Sequence, residues 1–128
     1  MATINLIDST GAVVPCYPFA SGAEAAVQTG AAAVTLKAAV ALKRHFITGW
    51  RVTNITAGEY PIAVLQDNTG TPIKHAHCTP EQPIATSKGT IQNRFDPPLE
   101  IASGKSVDYS LQAATGDCHS NVEGYVEA

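Results

Sequence analysis

Hydrophobic and polar residues alternate in several short runs of the chain, and this period of two is typical of strands with one buried and one exposed face. The clearest run is residues 106–113, in which Val107, Tyr109 and Leu111 alternate with polar residues. The other runs with strand composition lie between turn-forming residues and are residues 2–7, 34–36, 45–54, 61–67, 71–77, 90–95 and 121–127. The pattern predicts an all-β fold with a single β-sandwich.

Residues 34–54 allow two interpretations. Residues 37–44 contain strong helix formers, which favours a helix. The rest of the stretch alternates in a β-branched and aromatic context, which favours a strand. Because strands are predicted on both sides, we interpret residues 37–44 as a turn between two strands. The alternation then places Phe46, Trp50 and Val52 on one buried face.

Residues 8–30 carry few charges and many small side chains, so they offer little to a hydrophobic core. Pro15 and Pro18 lack the backbone N–H that a strand donates to its neighbour. We therefore predict that residues 1–30 form an extended N-terminal arm, which lies over the protein's own surface or a partner's. Residues 31–128 then form the β-sandwich domain.

Composition limits the classes of function. A chain of 128 residues can bury a core of its own but has no room for a second domain. Charged residues make up only 15% of it and the net charge is −3, so we expect no nucleic-acid partner. No run approaches the roughly 18 apolar residues of a membrane span. The first residues lack signal-peptide features, so we expect a cytosolic protein without membrane contact.

The cysteines and the motif search indicate no reactive centre. Cys16, Cys78 and Cys118 form no closely spaced pair, which favours buried free thiols over a disulfide framework or a zinc ribbon. Neither a GxSxG elbow nor a GxxxxGK[ST] loop occurs. Trp50 is predicted in the core, with a sugar- or protein-binding surface as the alternative. Residues 43–45 (KRH) are predicted to form an exposed corner, or to pair with acidic groups of a neighbouring subunit.

One pattern could bind a metal. G-x4-H-x-H-x3-E-x7-G begins at Gly70, includes His75, His77 and Glu81, and resembles the first cupin motif, while His119 resembles the third histidine of the second. Two imidazoles on one face of a strand, with a carboxylate nearby, could hold a divalent ion. The glycine spacings are irregular, however, and prolines interrupt the region. We therefore expect no metal, no cofactor and no catalytic residues, and keep a cupin-like metal-binding protein as an alternative.

A different resemblance covers residues 34–128. It is carried by VTLKAAVALKRHFITGWRVTN, IAVLQDNTGTPI, RFDPPLEIASGKSVDYSLQAATG and VEGYVEA. These segments resemble small jelly-roll structural proteins of tailed bacteriophage virions, in which a TLKAAVAGKR-like segment leads into an ITG strand and the chain stops on a GYV-like strand. Leu42 stands where glycine is usual in those sequences, and residues 8–30 have no counterpart.

The resemblance implies a jelly-roll-like β-sandwich and a non-enzymatic structural role in the virion. The most specific expectation is a capsid decoration protein that binds the phage major capsid protein as a symmetric oligomer, most simply a homotrimer. A tail protein is the other possible partner. The protein would be made in the host bacterial cytoplasm and located in the virion. A tail or fibre module that recognises host carbohydrate is an alternative, although aromatic residues are only 6% of the chain.

Overall fold

The computed structural model describes residues 2–20, 25–28, 33–54, 62–77, 89–112 and 117–128. These residues contain ten strands and no helix, so the predicted all-β fold is confirmed. The strands are β1 (Ile4–Ile7), β2 (Val13–Ala20), β3 (Ala25–Gln28), β4 (Val34–Lys37), β5 (His45–Asn54), β6 (Ile62–Asp67), β7 (Pro72–His77), β8 (Gly89–Ile101), β9 (Val107–Gln112) and β10 (Asp117–Glu127). The segment between β4 and β5 is a turn, as predicted.

The strands form two antiparallel sheets. The large sheet has the order β1-β2-β10-β5-β8, with β3 pairing β10 beside β2, and the small sheet has the order β4-β9-β6-β7. Buried side chains from both sheets pack together in the inter-sheet core, whose members are Ile47, Trp50, Val52, Ala63, Leu65, Ile101, Val107, Tyr109, Leu111, Cys118 and Val122. The alternation of residues 106–113 therefore places the predicted side chains of β9 in this core.

A β-bulge at Thr48 changes which face the β5 side chains occupy. Ile47 pairs with Gly124 and Gly49 pairs with Glu123, so Thr48 is an extra residue between two consecutive pairs. The extra residue turns Ile47 and Trp50 toward the same core, although their spacing in a regular strand would separate them. The prediction that Phe46 shares a face with Trp50 is wrong for this reason.

Gly124 permits the close approach of β10 to β5 at this bulge. A Cβ atom at Gly124 would lie 2.0 Å from the carbonyl oxygen of Phe46, which is backbone and cannot move aside. Glycine is therefore required here by space. At Gly49, on the other side of the bulge, a Cβ would meet only the side chain of Glu123, at 2.7 Å.

Phe46 lies in a second core on the outer face of the large sheet. We define the second core as the buried residues Val14, Cys16 and Phe46 together with the partly buried Leu6 and Tyr125. Phe46 is 1% exposed, although it faces away from the inter-sheet core. Strands β1, β2, β5 and β10 supply these side chains.

The large sheet curls around the second core. Strands β1 and β8 are its two edges, and in a flat sheet four strand spacings of about 4.8 Å would separate them. Instead the backbone N–H of Ser9, just after β1, donates a hydrogen bond of 2.8 Å to Oε2 of Glu100 in β8. The two edges therefore meet at this end of the molecule.

Strand β2 corrects the prediction that Pro15 and Pro18 prevent regular pairing. The N–H of Ala128 donates to the carbonyl oxygen of Pro15 at 2.9 Å, so Pro15 faces β10. A residue with an N–H at position 15 would donate it to the backbone oxygen of Ala128. Here that oxygen accepts a hydrogen bond from Nζ of Lys43 instead. Pro18 faces the other neighbour, β1, whose pairing stops at Cys16. Neither proline leaves a partner without its hydrogen bond.

The segment predicted to be an N-terminal arm contains strands of the large sheet. Both β2 and β3 pair with β10, and β1 pairs with β2, so strands from residues 1–30 belong to the large sheet. The described part of this segment is paired backbone and does not simply lie over a surface. The division of the chain into an arm and a domain at residue 30 stays a prediction.

Two hairpins use the same four-residue turn, D-x-T-G. In the β1–β2 turn, Oδ1 of Asp8 accepts hydrogen bonds from the N–H and Oγ1 of Thr10, at 2.9 and 2.6 Å. In the β6–β7 turn, Oδ1 of Asp67 accepts the corresponding bonds of Thr69. The fourth residue is a glycine with φ of 85° in the first turn and 81° in the second. These left-handed angles explain the glycines.

Candidate functional site

The structure places two of the candidate metal ligands on opposite surfaces. Leu65 belongs to the inter-sheet core and pairs with Lys74, so the next residue, His75, faces away from the core and is exposed. His119 lies between the buried Cys118 and Ser120 of β10, so it faces outward from the large sheet. Stacked sheets are about 10 Å apart, whereas ligand nitrogens lie about 2 Å from a zinc ion.

The remaining candidates, the side chain of His77 and residue Glu81, lie outside the described part of the chain. Among the described side chains, no group of three His, Cys, Asp or Glu residues could hold a metal ion. His75 and His119 therefore do not form the cupin-like set with each other. The expectation that the protein needs no metal stays a prediction.

Arg44 is the centre of the strongest cluster of charges in the described residues. Its Nη1 lies 3.1 Å from Oδ2 of Asp8 and 3.0 Å from Oε1 of Glu100. Its Nε lies 2.6 Å from Oε1 of Glu127, which also accepts the backbone N–H of Arg44 at 2.9 Å. We call these four residues the Arg44 cluster. It joins the β1–β2 turn, β8, β10 and the start of β5.

The Arg44 cluster also covers the second core. The guanidinium carbon lies 5.2 Å from the ring centroid of Phe46, so the cation stacks over the buried aromatic ring. The side chain of Asp8 is only 6% exposed, and that of Arg44 is 27% exposed. The prediction of an exposed corner at residues 43–45 is thus wrong for Arg44, which pairs with acidic groups of its own chain. It is also wrong for His45, which is fully buried.

The cluster holds two of its carboxyl groups, those of Asp8 and Glu127, in the charged form. The hydroxyl of Thr10, the N–H of Ala12 and Arg44 lower the pKa of Asp8 well below its usual range. Arg44 is the main cause of the lowered pKa of Glu127, and in return Glu127 raises the pKa of Arg44. A fully paired, permanently charged group neither donates nor accepts a proton near neutral pH. The arrangement is suited to holding strands together.

Cys16 and Cys118 are buried thiols that form no disulfide with each other, as predicted. Burial is the main cause of the raised pKa of Cys16, and the charge of Glu127 adds to it. A thiol that keeps its proton is a poor nucleophile. Cys78 lies outside the described residues.

Trp50 lies in the core, as predicted. It is 1% exposed, and its Nε1 donates a hydrogen bond of 2.7 Å to Oγ of Ser120. A depression on the outer face of the large sheet is lined by Gly49, Trp50, Arg51, Gln92, Asn121, Val122 and Glu123. Most of its lining is polar, and an indole that is 1% exposed cannot offer a stacking face to a sugar there.

Large apolar side chains are exposed at one end of the molecule. Ile7 is 60% exposed, Val13 61%, Val40 39% and Leu42 87%. Arg44 contacts Asp8, next to Ile7, so the β1–β2 turn and the connection from β4 to β5 lie at the same end. We call these four apolar residues the apolar end.

Leu42 is exceptional in its backbone as well. Its φ is 62°, in the left-handed region, and it lies in a turn closed by the Lys43 N–H donating to the Val40 carbonyl oxygen at 3.1 Å. This conformation costs a residue other than glycine about 1–2 kcal/mol. The left-handed residue of this turn thus stands at the position where the resembling sequences have glycine.

Comparisons with known proteins give no family. No protein-family profile matches the chain, and no curated protein matches it. Among solved structures, the chain is similar to the structure of infectious bursal disease virus, Gx strain, with 14% sequence identity and a TM-score of 0.39. The match covers 99% of this chain but only 36% of the other. A similarity at this level defines neither a family nor a function.

The described residues contain no helix long and apolar enough to cross a membrane.

Proposed function

We propose that the protein is a non-enzymatic structural component of a virion, most specifically a decoration protein that binds the phage major capsid protein. The resemblance of residues 34–128 to phage structural proteins supports this proposal, and the two-sheet fold agrees with it. The observation that carries it is the apolar end, a set of large side chains that the isolated chain leaves in water.

The free-energy costs at Leu42 favour a contact between its side chain and a partner protein. Exposed apolar surface costs about 25 cal/mol per Å² relative to burial, and Leu42 is 87% exposed. Its left-handed backbone adds a second cost at the same residue. Glycine would remove both costs. Burial of the Leu42 side chain against a partner would explain why a residue with both of these costs is present.

Co-sedimentation with phage capsids tests the proposal. Purified protein should pellet with capsids that lack it, and Leu42→Gly should reduce the bound fraction without unfolding the protein. His75→Ala is the matched control, because His75 is an exposed residue in a strand of the small sheet and outside the apolar end. Equal binding of wild type and Leu42→Gly, or no sedimentation of wild type, would contradict the proposal.

The oligomeric state is part of the proposal. A homotrimer or similar closed ring would cover exposed strand edges and place equivalent contacts on a symmetric shell. β1 is such an edge, and it carries no charged residue. Light scattering at high micromolar concentration should give a mass larger than a monomer. A monomer in solution that also shows no self-contact on the particle would count against it.

The alternatives have separate readouts. Co-purification with tails rather than with capsids would identify a tail protein as the partner. Binding to host glycans would favour the fibre-module hypothesis. Stoichiometric metal by elemental analysis, lost together with stability in a His75→Ala/His77→Ala double variant, would favour the cupin-like hypothesis over the structural one. We expect no cofactor, no nucleic-acid partner and no membrane contact. We expect the protein to be made in the host bacterial cytoplasm and to be located finally in the virion.

A further inference from the structure

His45 is a buried histidine whose ring nitrogens make no hydrogen bond of regular geometry within the described residues, although the backbone of Lys105 lies near the ring. It is the first residue of β5, and it is 0% exposed. Within the part of the chain that the structure describes, neither ring nitrogen has a hydrogen-bond partner. Buried polar groups are nearly always paired, because an unpaired one costs about 1–3 kcal/mol. An imidazole kept in this position without pairing requires an explanation.

The surroundings of His45 join the two sheets. Its ring packs edge-on against Phe19 of β2, with 5.7 Å between centroids and 85° between planes. The Nζ of Lys37 in β4 lies 4.9 Å from the centroid of the same Phe19 ring. Strand β2 belongs to the large sheet and β4 is an edge of the small sheet. We call Phe19, Lys37 and His45 the seam, since they connect the sheets along this side.

The seam tolerates only the neutral form of His45. The neighbours of His45 are Phe19 from β2, Ile101 from β8 and Val126 from β10, none of which carries a charge, and the backbone of Lys105. The charge that acts on the ring is that of Lys37, which is positive and partly buried. A protonated ring would therefore be a buried cation close to a second cation. No carboxylate among the described residues is a cause of its pKa shift.

We propose that the seam is an acid-sensitive latch: with His45 neutral, β2 and β4 are held together, and protonation of His45 beside Lys37 opens the sandwich along this side. The proposal concerns the isolated chain and does not depend on the proposed virion role. It assigns a purpose to a buried imidazole without a carboxylate partner among the described residues, since a ring paired with a carboxylate would keep its proton at lower pH.

The direction of the pH effect follows from the environment of the ring. Burial is the largest cause of the lowered pKa of His45, the charge of Lys37 acts in the same direction, and the nearby backbone of Lys105 opposes them. In the unfolded chain the pKa is about 6.5. The stabilisation by neutral His45 is thus complete above about pH 6.5 and is lost as the pH falls toward the lowered value. The pKa values of Asp8 and Glu127 are lowered, so the stabilisation from these two carboxylates is lost only below about pH 4.5, and the two effects occupy different pH ranges.

Thermal unfolding at pH 7.5 and pH 5.0 tests the latch. We expect the midpoint of wild type to fall on acidification by about 5 °C more than that of His45→Leu, which fills the site without a titrating group. Lys37→Met should show a smaller fall than wild type, because it removes the repelling charge. His75→Gln, which changes an exposed histidine in the small sheet, should keep the wild-type fall. Equal falls in wild type and His45→Leu would overturn the proposal.

If His45→Leu does not fold, hydrogen exchange on the wild-type protein tests the latch instead. After correction for the intrinsic pH dependence of exchange, amides of β2 and β4 should exchange about tenfold faster at pH 5.0 than at pH 7.5, while those of β9 keep their rate. An equal increase in all strands would mean general acid unfolding rather than opening of the seam, and would refute the latch. So would no increase in β2 and β4.

Discussion

The inter-sheet core and the second core are built in different ways. Among the described residues, the inter-sheet core has eleven buried apolar side chains, supplied by both sheets. In the same part of the chain, the second core has three buried side chains on the outer face of one sheet, and its cover is the Arg44 cluster. Where a curled sheet supplies too few apolar groups to exclude water, a cation with three carboxylates closes the gap. Apolar packing therefore closes the inter-sheet core, whereas paired charges also help to close the second core.

The largest effect should come from the inter-sheet core. Trp50→Ala opens a cavity and leaves the Ser120 hydroxyl without its partner, so it should cost about 3–5 kcal/mol in the free energy of unfolding. Chemical denaturation measures it. Phe46→Ala, an equally buried aromatic in the second core, should cost less, because the thin cover lets water fill the space. A larger cost for Phe46→Ala would reverse the ranking of the cores.

The junction between the cores should be the next most sensitive place. Gly124→Ala pushes a methyl group into the backbone of β5 and should cost about 3 kcal/mol, by disrupting the bulge that sends Phe46 and Trp50 to different cores. Gly49→Ala is the matched control, since only the movable Glu123 side chain lies in the way. Similar costs for the two variants in urea unfolding would show that the bulge adapts, and the argument from close approach would fail.

Removing the cover of the second core should have a smaller effect. Arg44→Met leaves three carboxylates without their cation, and we expect the midpoint of thermal unfolding to fall by about 5 °C. Arg94→Met is the control: Arg94 pairs with Glu123 on the surface with its side chain 68% exposed, and such pairs contribute roughly 0–1 kcal/mol. If both variants melt alike, the Arg44 cluster is no more than a surface ion pair.

In the wild-type protein, acid should destabilise the second core before the inter-sheet core. The pKa values of Asp8 and Glu127 are lowered in the folded protein, so their stabilisation is complete above about pH 4.5 and is lost as the pH falls below that value. Thermal midpoints measured from pH 5 to pH 3 should decline, and Glu127→Gln should reduce the decline. Exchange should rise first in β1 and β2. Uniform exchange across β9 and β1 would argue that the cores unfold as one.

The smallest effect belongs to the turn outside both cores. Leu42→Gly relieves a left-handed backbone at an exposed position, but glycine also gives the unfolded chain more conformational freedom, so the two effects partly cancel and stability should rise by less than about 1 kcal/mol. Denaturation in urea would reveal it. A loss of stability would mean that the Leu42 side chain has a contact within the chain after all.

Sequence reasoning succeeded where the signal is local. The bounds of β5 and the alternation of β9 follow from neighbouring residues, because side-chain burial in a strand repeats every second position. The D-x-T-G pattern at Asp8 is equally local and could have indicated the β1–β2 hairpin, since the same pattern recurs at Asp67.

What could not be predicted depends on distant partners. The bulge at Thr48 requires knowing how both neighbours of β5 are paired. Pro15 would disrupt a strand only if its missing N–H left a neighbouring acceptor without a hydrogen bond. Whether it does so depends on the position of β10. The three carboxylates of the Arg44 cluster come 36, 56 and 83 residues away from Arg44, so no sequence window contains them. The virion role is the part that still rests on resemblance.

The position of β10 in the large sheet has a consequence for biosynthesis. β10 lies between β5 on one side and β2 and β3 on the other, so the earliest strands pair with the strand that follows all others in the chain. While the ribosome is still translating, β2 has only β1 as a neighbour, and Val14 and Cys16 remain uncovered. Folding must then wait for contacts that span nearly the whole chain, which is slow compared with local pairing. Nascent chains should therefore be targets for chaperones until β10 has left the exit tunnel.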